Sequence, residues 1–377
     1  MRKTLLVTND FPPRAGGIQT FLEGFVGQLD PQQLIVYAST PPDGPEAARH
    51  YDEQQPYTVV RYPGTTMLPT PHVSRTMVDL IRAHGVKNVW FGAAAPLGLM
   101  AHAAHKAGAE KVIATTHGHE IGWSMIPGAR HMLRKVFADA DVVTYLTHAT
   151  LRRLSPFIGS TPIMQLHGAI DPELFAFDRQ ARAELRRRYG IGQHVPVVVC
   201  ISRLVPRKGQ DVLIQGWHNV VRKYPGTKLV IVGKGPYETK LRELASHSPA
   251  QQDIIFTGEV PYRELPAHYS LGDIFAMPCR TRGGGLDIEG LGIVFLEAYA
   301  AGLPVVAGDS GGAPEAVLNK ETGLVVNGNS VNAVTTAIDC LLADPKRARS
   351  MGNAGRAWVD QEWRWSDVAK PLIQLLS

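Results

Sequence analysis

Cysteine is scarce in this 377-residue chain, with only Cys200, Cys279 and Cys340, far apart and odd in number. No two of them have metal-ligand spacing, and a disulfide framework calls for an even count, so the chain suits a reducing compartment. Long apolar runs are missing too. The least polar stretch, residues 89–101, is broken by Gly92, Pro96 and Gly98 and is too short to cross a bilayer. Near the amino terminus, Leu5-Leu6-Val7 gives way to Asn9 and Asp10, which is strand length and not a signal-peptide core. Low-complexity tracts and short-period repeats are absent, which excludes a solenoid or a disordered chain. Neither the first strand nor Gly233-Lys234-Gly235-Pro236 carries a dinucleotide fingerprint, which argues against a dehydrogenase.

What is present is the composition of a soluble globular protein: 44% hydrophobic, 19% charged, with 37 glycines and 27 prolines. The length fits two domains. Net charge is +5, and basic residues cluster at Arg130, Arg134 and Lys135, at Arg152 and Arg153, and at Arg179, Arg182 and 186–188. Such clusters are either solvated helix faces or surfaces for anionic lipid or nucleic acid. No nucleic-acid-binding motif accompanies them, so a nucleic-acid partner is not expected.

Short apolar strands alternate with helical stretches throughout. Strands are expected at 4–8, 34–38, 58–62, 88–92, 111–115 and 142–146, with helices including 18–29, 74–84 and 97–107. The pattern restarts after Asp171-Pro172, with strands at 197–201, 228–232, 253–257, 274–277, 304–307 and 323–326. Helices are expected there at 179–189, 210–224, 237–246, 265–271, 292–301 and 331–342. This alternation implies parallel sheets covered on both faces, with ligands at the carboxyl ends of the strands. The expected architecture is two Rossmann-like domains facing a cleft. Residues 1–170 form the first and 171–357 the second, and a terminal helix over about 358–377 packs back on the first.

Two motifs carry chemistry. Residues 201–209 follow a strand and precede a helix, so Arg203 and Lys208 emerge at the ligand end of the second sheet. A departing nucleoside diphosphate gains negative charge, which a metal or fixed cations must neutralise. Arg offers a planar fork to phosphate and Lys a compact charge. The bland alternative is two exposed cations in a loop. The second motif is Glu289-Gly-Leu-Gly-Ile-Val-Phe-Leu-Glu297, preceded by the glycines at 283–285. Glycines there let the backbone approach a ligand, and a helix starting near Gly292 aims free amides at it. Glu297, one to two turns into that helix, can accept hydrogen bonds from ribose hydroxyls, and Glu289 can meet a sugar.

Together, Arg-x4-Lys after a strand and Glu-x7-Glu around Gly-x-Gly-Ile-Val-x-Leu resemble the donor site of glycosyltransferase family 4, of the GT-B fold. The likeness extends to Pro12-Pro13-x-x-Gly16-Gly17-Ile18-Gln19, Thr116-His117-Gly118-His119-Glu120, residues 230–236 and the 310–315 turn. The resemblance implies that Arg203 and Lys208 hold a diphosphate and Glu297 the ribose. Glu289, with the amides of Gly292 and Ile293, would hold the transferred sugar. By the same likeness Gly16, Gly17 and Gly233 line the donor site, and Gly258 and Val260 lie beside the base. His117 would project toward the sugar, with His119 as the alternative.

A narrower resemblance, carried by residues 8–13, 90–96, 116–120, 122–125 and 280–287, is to actinobacterial PimB-type mannosyltransferases. It implies GDP-mannose as donor, a phosphatidylinositol mannoside acceptor received at the inositol 6-position, and Asn9, Asp10 and Gln19 on the acceptor side. His167 stands where the family usually has proline.

Asp139-Ala-Asp141 has metal-binding spacing but precedes a strand instead of ending one, so no metal and no cofactor are expected. His102 and His105 lack acidic or cysteine partners. No carboxylate is placed as a covalent nucleophile, which favours a retaining front-face substitution. Arg130, Arg134 and Lys135, beside Met132, Leu133, Val136 and Phe137 at helical spacing, form a basic amphipathic stretch suited to an anionic lipid surface. A cytoplasmic protein held peripherally on the inner membrane is therefore expected. The competing classes are a sugar-nucleotide epimerase of the same fold and a silent nucleotide-sugar-binding module.

Overall fold

The computed structural model describes residues 1–14 and 16–377; Ala15, inside the expected Pro12–Gln19 loop, lies outside them. Two compact units divide the chain, Met1–Ala169 with Trp365–Ser377, and Ile170–Arg364. The crossing back to the first unit thus falls at Arg364/Trp365 rather than at 357/358.

The first unit is built on strands β1 (Thr4–Thr8), β2 (Leu34–Ser39), β3 (Thr58–Tyr62), β4 (Asn88–Phe91), β5 (Lys111–Thr115), β6 (Val142–Tyr145) and β7 (Ile163–Gln165). They form one parallel sheet in the order β3-β2-β1-β4-β5-β6-β7. Its helices are α1 (Gly17–Val26), α2 (Pro45–Asp52), α3 (Pro71–His84), α4 (Ala101–Ala107), α5 (Glu120–Met125), α6 (Pro127–Ala138) and α7 (His148–Ile158). The central strands are buried along their length, the condition for a parallel sheet with both faces covered.

The second unit has α8 (Arg179–Arg188), β8 (Val197–Ile201), α9 (Gln210–Lys223), β9 (Lys228–Val232), α10 (Glu238–Ser246) and β10 (Ile254–Gly258). It continues with α11 (Leu265–Leu271), β11 (Ile274–Met277), α12 (Ile293–Ala300), β12 (Val305–Gly308), β13 (Gly323–Val326), α13 (Val331–Ala343) and α14 (Pro345–Glu362). Its parallel sheet runs β10-β9-β8-β11-β12-β13. In both sheets the order reverses beside the first strand of the unit, between β1 and β4 and between β8 and β11. Loops leaving the carboxyl ends of strands at such a reversal splay apart and leave room for a ligand.

The sequence-based expectation of one terminal helix fails at Trp363 and Arg364. α14 stops at Glu362, and two short helices follow, α15 (Trp365–Val368) and α16 (Lys370–Leu375). This tail is tied into the first unit by main-chain acceptors. The Leu376 carbonyl accepts from the Asn88 side-chain amide and from the Arg2 amide, both at 2.8 Å, and Lys111 Nζ reaches the Leu375 carbonyl. The Trp365 ring meets Phe25 edge-on at 5.3 Å, and Val368, Leu372 and Leu376 are buried in the same core. Each such apolar side chain contributes about 1.5–3 kcal/mol when fully buried.

One basic cluster is not a solvated face. Arg186 is fully buried, donating to the carbonyls of Gly192, Gln193 and Val195 and pairing with Asp273. Arg182 donates to the carbonyls of Ser270, Leu271 and Gly272 at the end of α11. Both guanidiniums satisfy carbonyls that helix termini and loops leave unpaired. Among the described residues no helix is long and apolar enough to cross a membrane.

Candidate active site

In the second unit the loops leaving β8, β9, β11 and β12 meet at the strand-order reversal, and their backbones touch. A Cβ on Gly233 would lie 2.2 Å from the Ser202 carbonyl oxygen, and one on Gly311 would lie 2.1 Å from that of Glu289. Both glycines also have positive φ, 131° and 55°, so no other residue fits without moving the neighbouring loop. Side chains reinforce the frame. Gln210, buried at the start of α9, donates to Ser202 Oγ and the Arg203 carbonyl. Arg280, after β11, pairs at 2.6 Å with Asp211 of α9, and its amide donates to the Arg207 carbonyl.

On this frame stand the charged candidates. Arg203 follows β8, is exposed, and its guanidinium has no partner among the described residues. Lys208 ends a short turn and is buried, with Nζ 2.7 Å from Oε2 of the buried Glu289. Arg207 Nε lies 3.7 Å from the same oxygen. The Glu289 main chain is fixed as well, its N–H donating to Ser310 Oγ and its carbonyl accepting from Gly312.

Gly292 precedes α12 in the left-handed region, and no side chain caps the helix, so its first amides, Ile293 among them, lack a capping partner. Glu297 is the fifth residue of α12. That helix is buried on nearly every side, and burial pushes the Glu297 carboxyl up to about 7, opposed by a hydrogen bond from Tyr269 Oη and by the Lys208 charge. Gly258 ends β10 with its carbonyl accepting from Gly233, Val260 follows half-buried, and Glu259 between them pairs with Lys234.

His117 follows β5. Its Nε2 lies 2.5 Å from the Gly92 carbonyl oxygen, and the ring meets Phe21 edge-on at 4.8 Å. A carbonyl only accepts, so Nε2 carries the proton. Burial holds the imidazole below its ordinary pKa, hence neutral, which leaves Nδ1 as an acceptor with no partner among the described residues. Glu120, fully buried, accepts from the amides of His117 and Gly118 at 3.0 Å, while His119 is exposed and pairs with the other Glu120 oxygen.

Asn9 is occupied otherwise than expected. Its amide brackets the Met67 backbone, donating at 3.0 Å and accepting at 2.6 Å, so it shapes the loop before α3. Asp10 accepts from the buried Gln19 at 2.8 Å, and Gly16 and Gly17 are exposed where α1 begins.

On α6, Lys135 pairs with Asp139, Arg134 lies over the Phe157 ring, and Arg130 reaches the Met125 carbonyl. Beside them Met125, Ile126 and Met132 are exposed. Contrary to the sequence-based expectation, His105 has an acidic partner, its Nε2 lying 3.3 Å from Asp141, which stands just before β6; among the described residues no group of three or more His, Cys, Asp or Glu could hold a metal.

Sequence reasoning singled out neither Gln210, Arg280 nor Tyr269. Their partners lie on other loops or helices, and no local spacing announces them. Glu120 had a signal, since it closes the Thr116–Glu120 motif, but its bonding to the preceding amides is a matter of backbone geometry.

Residues 15–174 match Glycosyltransferase Family 4 and residues 181–358 match Glycosyl transferases group 1. The chain is 53% identical to the GDP-mannose-dependent alpha-(1-6)-phosphatidylinositol monomannoside mannosyltransferase of Mycolicibacterium smegmatis, over 99% of this chain and 98% of that protein. It is 49% identical to the GDP-mannose-dependent monoacylated alpha-(1-6)-phosphatidylinositol monomannoside mannosyltransferase of Corynebacterium glutamicum, over 100% and 98%. Among solved structures, Alr3699/HepE of Anabaena in complex with UDP superposes with a TM-score of 0.82 at 18% identity, covering 100% of this chain and 99% of that one. Sucrose-phosphate synthase of Thermosynechococcus elongatus does so at 0.77 and 21%, covering 99% and 98%. At those identities the structural likeness establishes the fold, GT-B, with both Rossmann-like units matched.

Proposed function

Because the chain belongs to glycosyltransferase family 4, we propose that it transfers mannose from GDP-mannose to a phosphatidylinositol mannoside, forming an α-(1-6) link with retention at the anomeric carbon. The observation that carries this is the full-length identity to mannosyltransferases of that description, together with a donor frame in which every charged residue of the family pattern is present.

The chemistry follows from the site. The bond between the anomeric carbon and the diphosphate oxygen breaks, and the acceptor hydroxyl forms its bond to that carbon on the same face. The acceptor proton passes to an oxygen of the leaving diphosphate. Arg203 and Lys208 stabilise the charge that develops on GDP, and the uncapped start of α12 adds amide donors. Glu297 takes the ribose hydroxyls and Glu289 the sugar. His117 is assigned to a sugar hydroxyl through Nδ1. Fixed cations do here what a divalent ion does elsewhere, so no metal is required on this reading.

The acceptor carries an anionic lipid, and the α5–α6 surface suits one. Exposed Met125, Ile126 and Met132 sit beside Arg130 and Arg134, an apolar and cationic combination that favours an anionic interface. We place the protein in the cytoplasm, peripherally on the inner face of the membrane.

The test is donor and acceptor profiling with purified protein and identification of products by mass spectrometry. Transfer from GDP-mannose to phosphatidylinositol mannoside is expected. Consumption of the sugar nucleotide without acceptor would favour an epimerase, and GDP binding without turnover a silent module.

A further inference from the structure

Tyr269 takes no part in the chemistry outlined above, yet it is fully buried and its hydroxyl is spent on a single partner. It sits on α11 with its ring between Phe175 and Phe275, centroids 5.7 Å from each. Two flanking aromatic rings leave the phenol ring little freedom, so the position of its hydroxyl oxygen is set by packing. That O–H donates to Oε2 of Glu297, while Oε1 carries no hydrogen bond among the described residues. A carboxylate with one oxygen anchored and the other open is oriented toward a ligand, whereas an unanchored one would rotate about its last torsion and pair with the nearest cation.

We propose that Tyr269 is a positioning residue for the donor nucleotide: its hydroxyl fixes the Glu297 carboxylate so that the free oxygen meets the vicinal ribose hydroxyls. This rests on the donor-site reading of Glu297. The titratable groups facing the carboxylate are Tyr269 from α11 and Lys208 from the turn after β8, the latter itself paired with Glu289. On the other flank of α12, Tyr299 faces Thr322 and the α14 residue Trp358, and β12 brings no titratable side chain. The Tyr269 hydrogen bond favours the ionised carboxylate, the form able to accept from two hydroxyls.

The test measures GDP affinity by titration calorimetry between pH 5.5 and 8.5 on the full chain. Wild type loses affinity as pH falls and Glu297 protonates. Tyr269→Phe keeps the ring and its packing but strips a buried Glu297 oxygen of its donor, so Tm should fall by a few degrees while the protein stays folded. Its Kd for GDP at pH 7 should rise about tenfold, the midpoint of the pH dependence should move upward, and donor KM should rise with kcat little changed.

Site-specific 3-fluorotyrosine at 269 keeps the hydroxyl and makes it a stronger donor, so the midpoint should move down; this arm serves if Tyr269→Phe folds poorly. An unchanged midpoint in a folded variant overturns the positioning role. Glu297→Ala separates the two readings. If it binds GDP as wild type does, the donor-site assignment of Glu297 fails. If it loses GDP while the Tyr269 variants behave as wild type, only the role of Tyr269 fails.

Discussion

Lys208 and Glu289, which stand on loops leaving different strands, are held together at 2.7 Å, Nζ to Oε2, with both side chains buried. On the proposed function each is meant for the donor, the lysine for phosphate and the glutamate for sugar. Their charges face one another, and a donor that engages both must come between them. Arg203, by contrast, stands exposed and unengaged. The two cations of one motif therefore have different structural weight.

Arg203→Ala should leave Tm unchanged and lower transfer by about 10²–10³-fold, the scale of losing one charge-stabilising donor. Paired melting curves and initial rates check this. Normal turnover would remove Arg203 from the diphosphate site.

Lys208→Ala should lower both activity and stability, because the buried Glu289 is left with only the half-buried Arg207, whose Nε stands 3.7 Å from the same oxygen, a defect of about 1–3 kcal/mol. Adding Glu289→Ala should restore much of the lost stability and none of the activity. Denaturant unfolding of the single and double variants measures it, and equal instability of the two would show that the pair is not coupled.

Glu297 gives the unliganded protein a pH-dependent weakness. Its pKa in the folded chain is raised to about 7 from 4.5, so between those values the folded state binds more protons than the unfolded one. Stability therefore falls as pH rises from about 4.5 to 7, by on the order of 3 kcal/mol. Glu297→Gln should remove that fall. Unfolding free energies at pH 5 and pH 7.5 decide the matter, and parallel curves for the two proteins would contradict it.

His117 is held neutral with its proton on Nε2 facing Gly92. The rate profile should accordingly show no limb from histidine ionisation at or above pH 6.5. His117→Phe should reduce kcat while the fold survives. Rates from pH 6 to 9 read this out, and a wild-type limb near 6.5 absent from the variant would show that the imidazole is not neutral in the working enzyme.

Co-sedimentation with vesicles containing anionic phospholipid should fall by about tenfold for the double variant Arg130→Glu, Arg134→Glu and recover little at low salt. Binding to neutral vesicles should be weak for both proteins. Equal binding of wild type and variant to anionic vesicles would locate the lipid contact elsewhere.

Much of the fold was legible in the sequence because parallel strands are buried on both faces and read as continuous apolar runs. β1, β3, β5, β8, β9, β11 and β13 fall on their expected residues. The edge strand β7 escaped notice, since three half-exposed residues carry no such run. The terminal helix was drawn too long because Trp363 and Trp365 continue an apolar pattern whose two halves serve different units.

In the second unit, Arg203 and Lys208 follow β8 and Glu289 and Glu297 flank the start of α12, as the motif spacing implies; their roles toward a donor come from the family resemblance. Asn9 was assigned to an acceptor, but its amide is consumed by Met67. Arg186 read as one more basic residue in a charged helix and is in fact buried among carbonyls. Met67 lies far from Asn9 along the chain, and so does Asp273 from Arg186, whose nearer carbonyl acceptors at Gly192, Gln193 and Val195 depend on the loop's fold and not on its pattern.

The loops around the second sheet's strand-order reversal are fitted main chain to main chain, with Gly233 and Gly311 at the points of contact. The shape of the cradle is thus set by main-chain fit, which the Arg280–Asp211 pair and Gln210 reinforce. The exposed Arg203 can be exchanged without disturbing that fit, and the two glycines cannot. Redesign of this site can exchange the exposed Glu259 or the half-buried Val260, provided it treats the glycine contacts as fixed tooling.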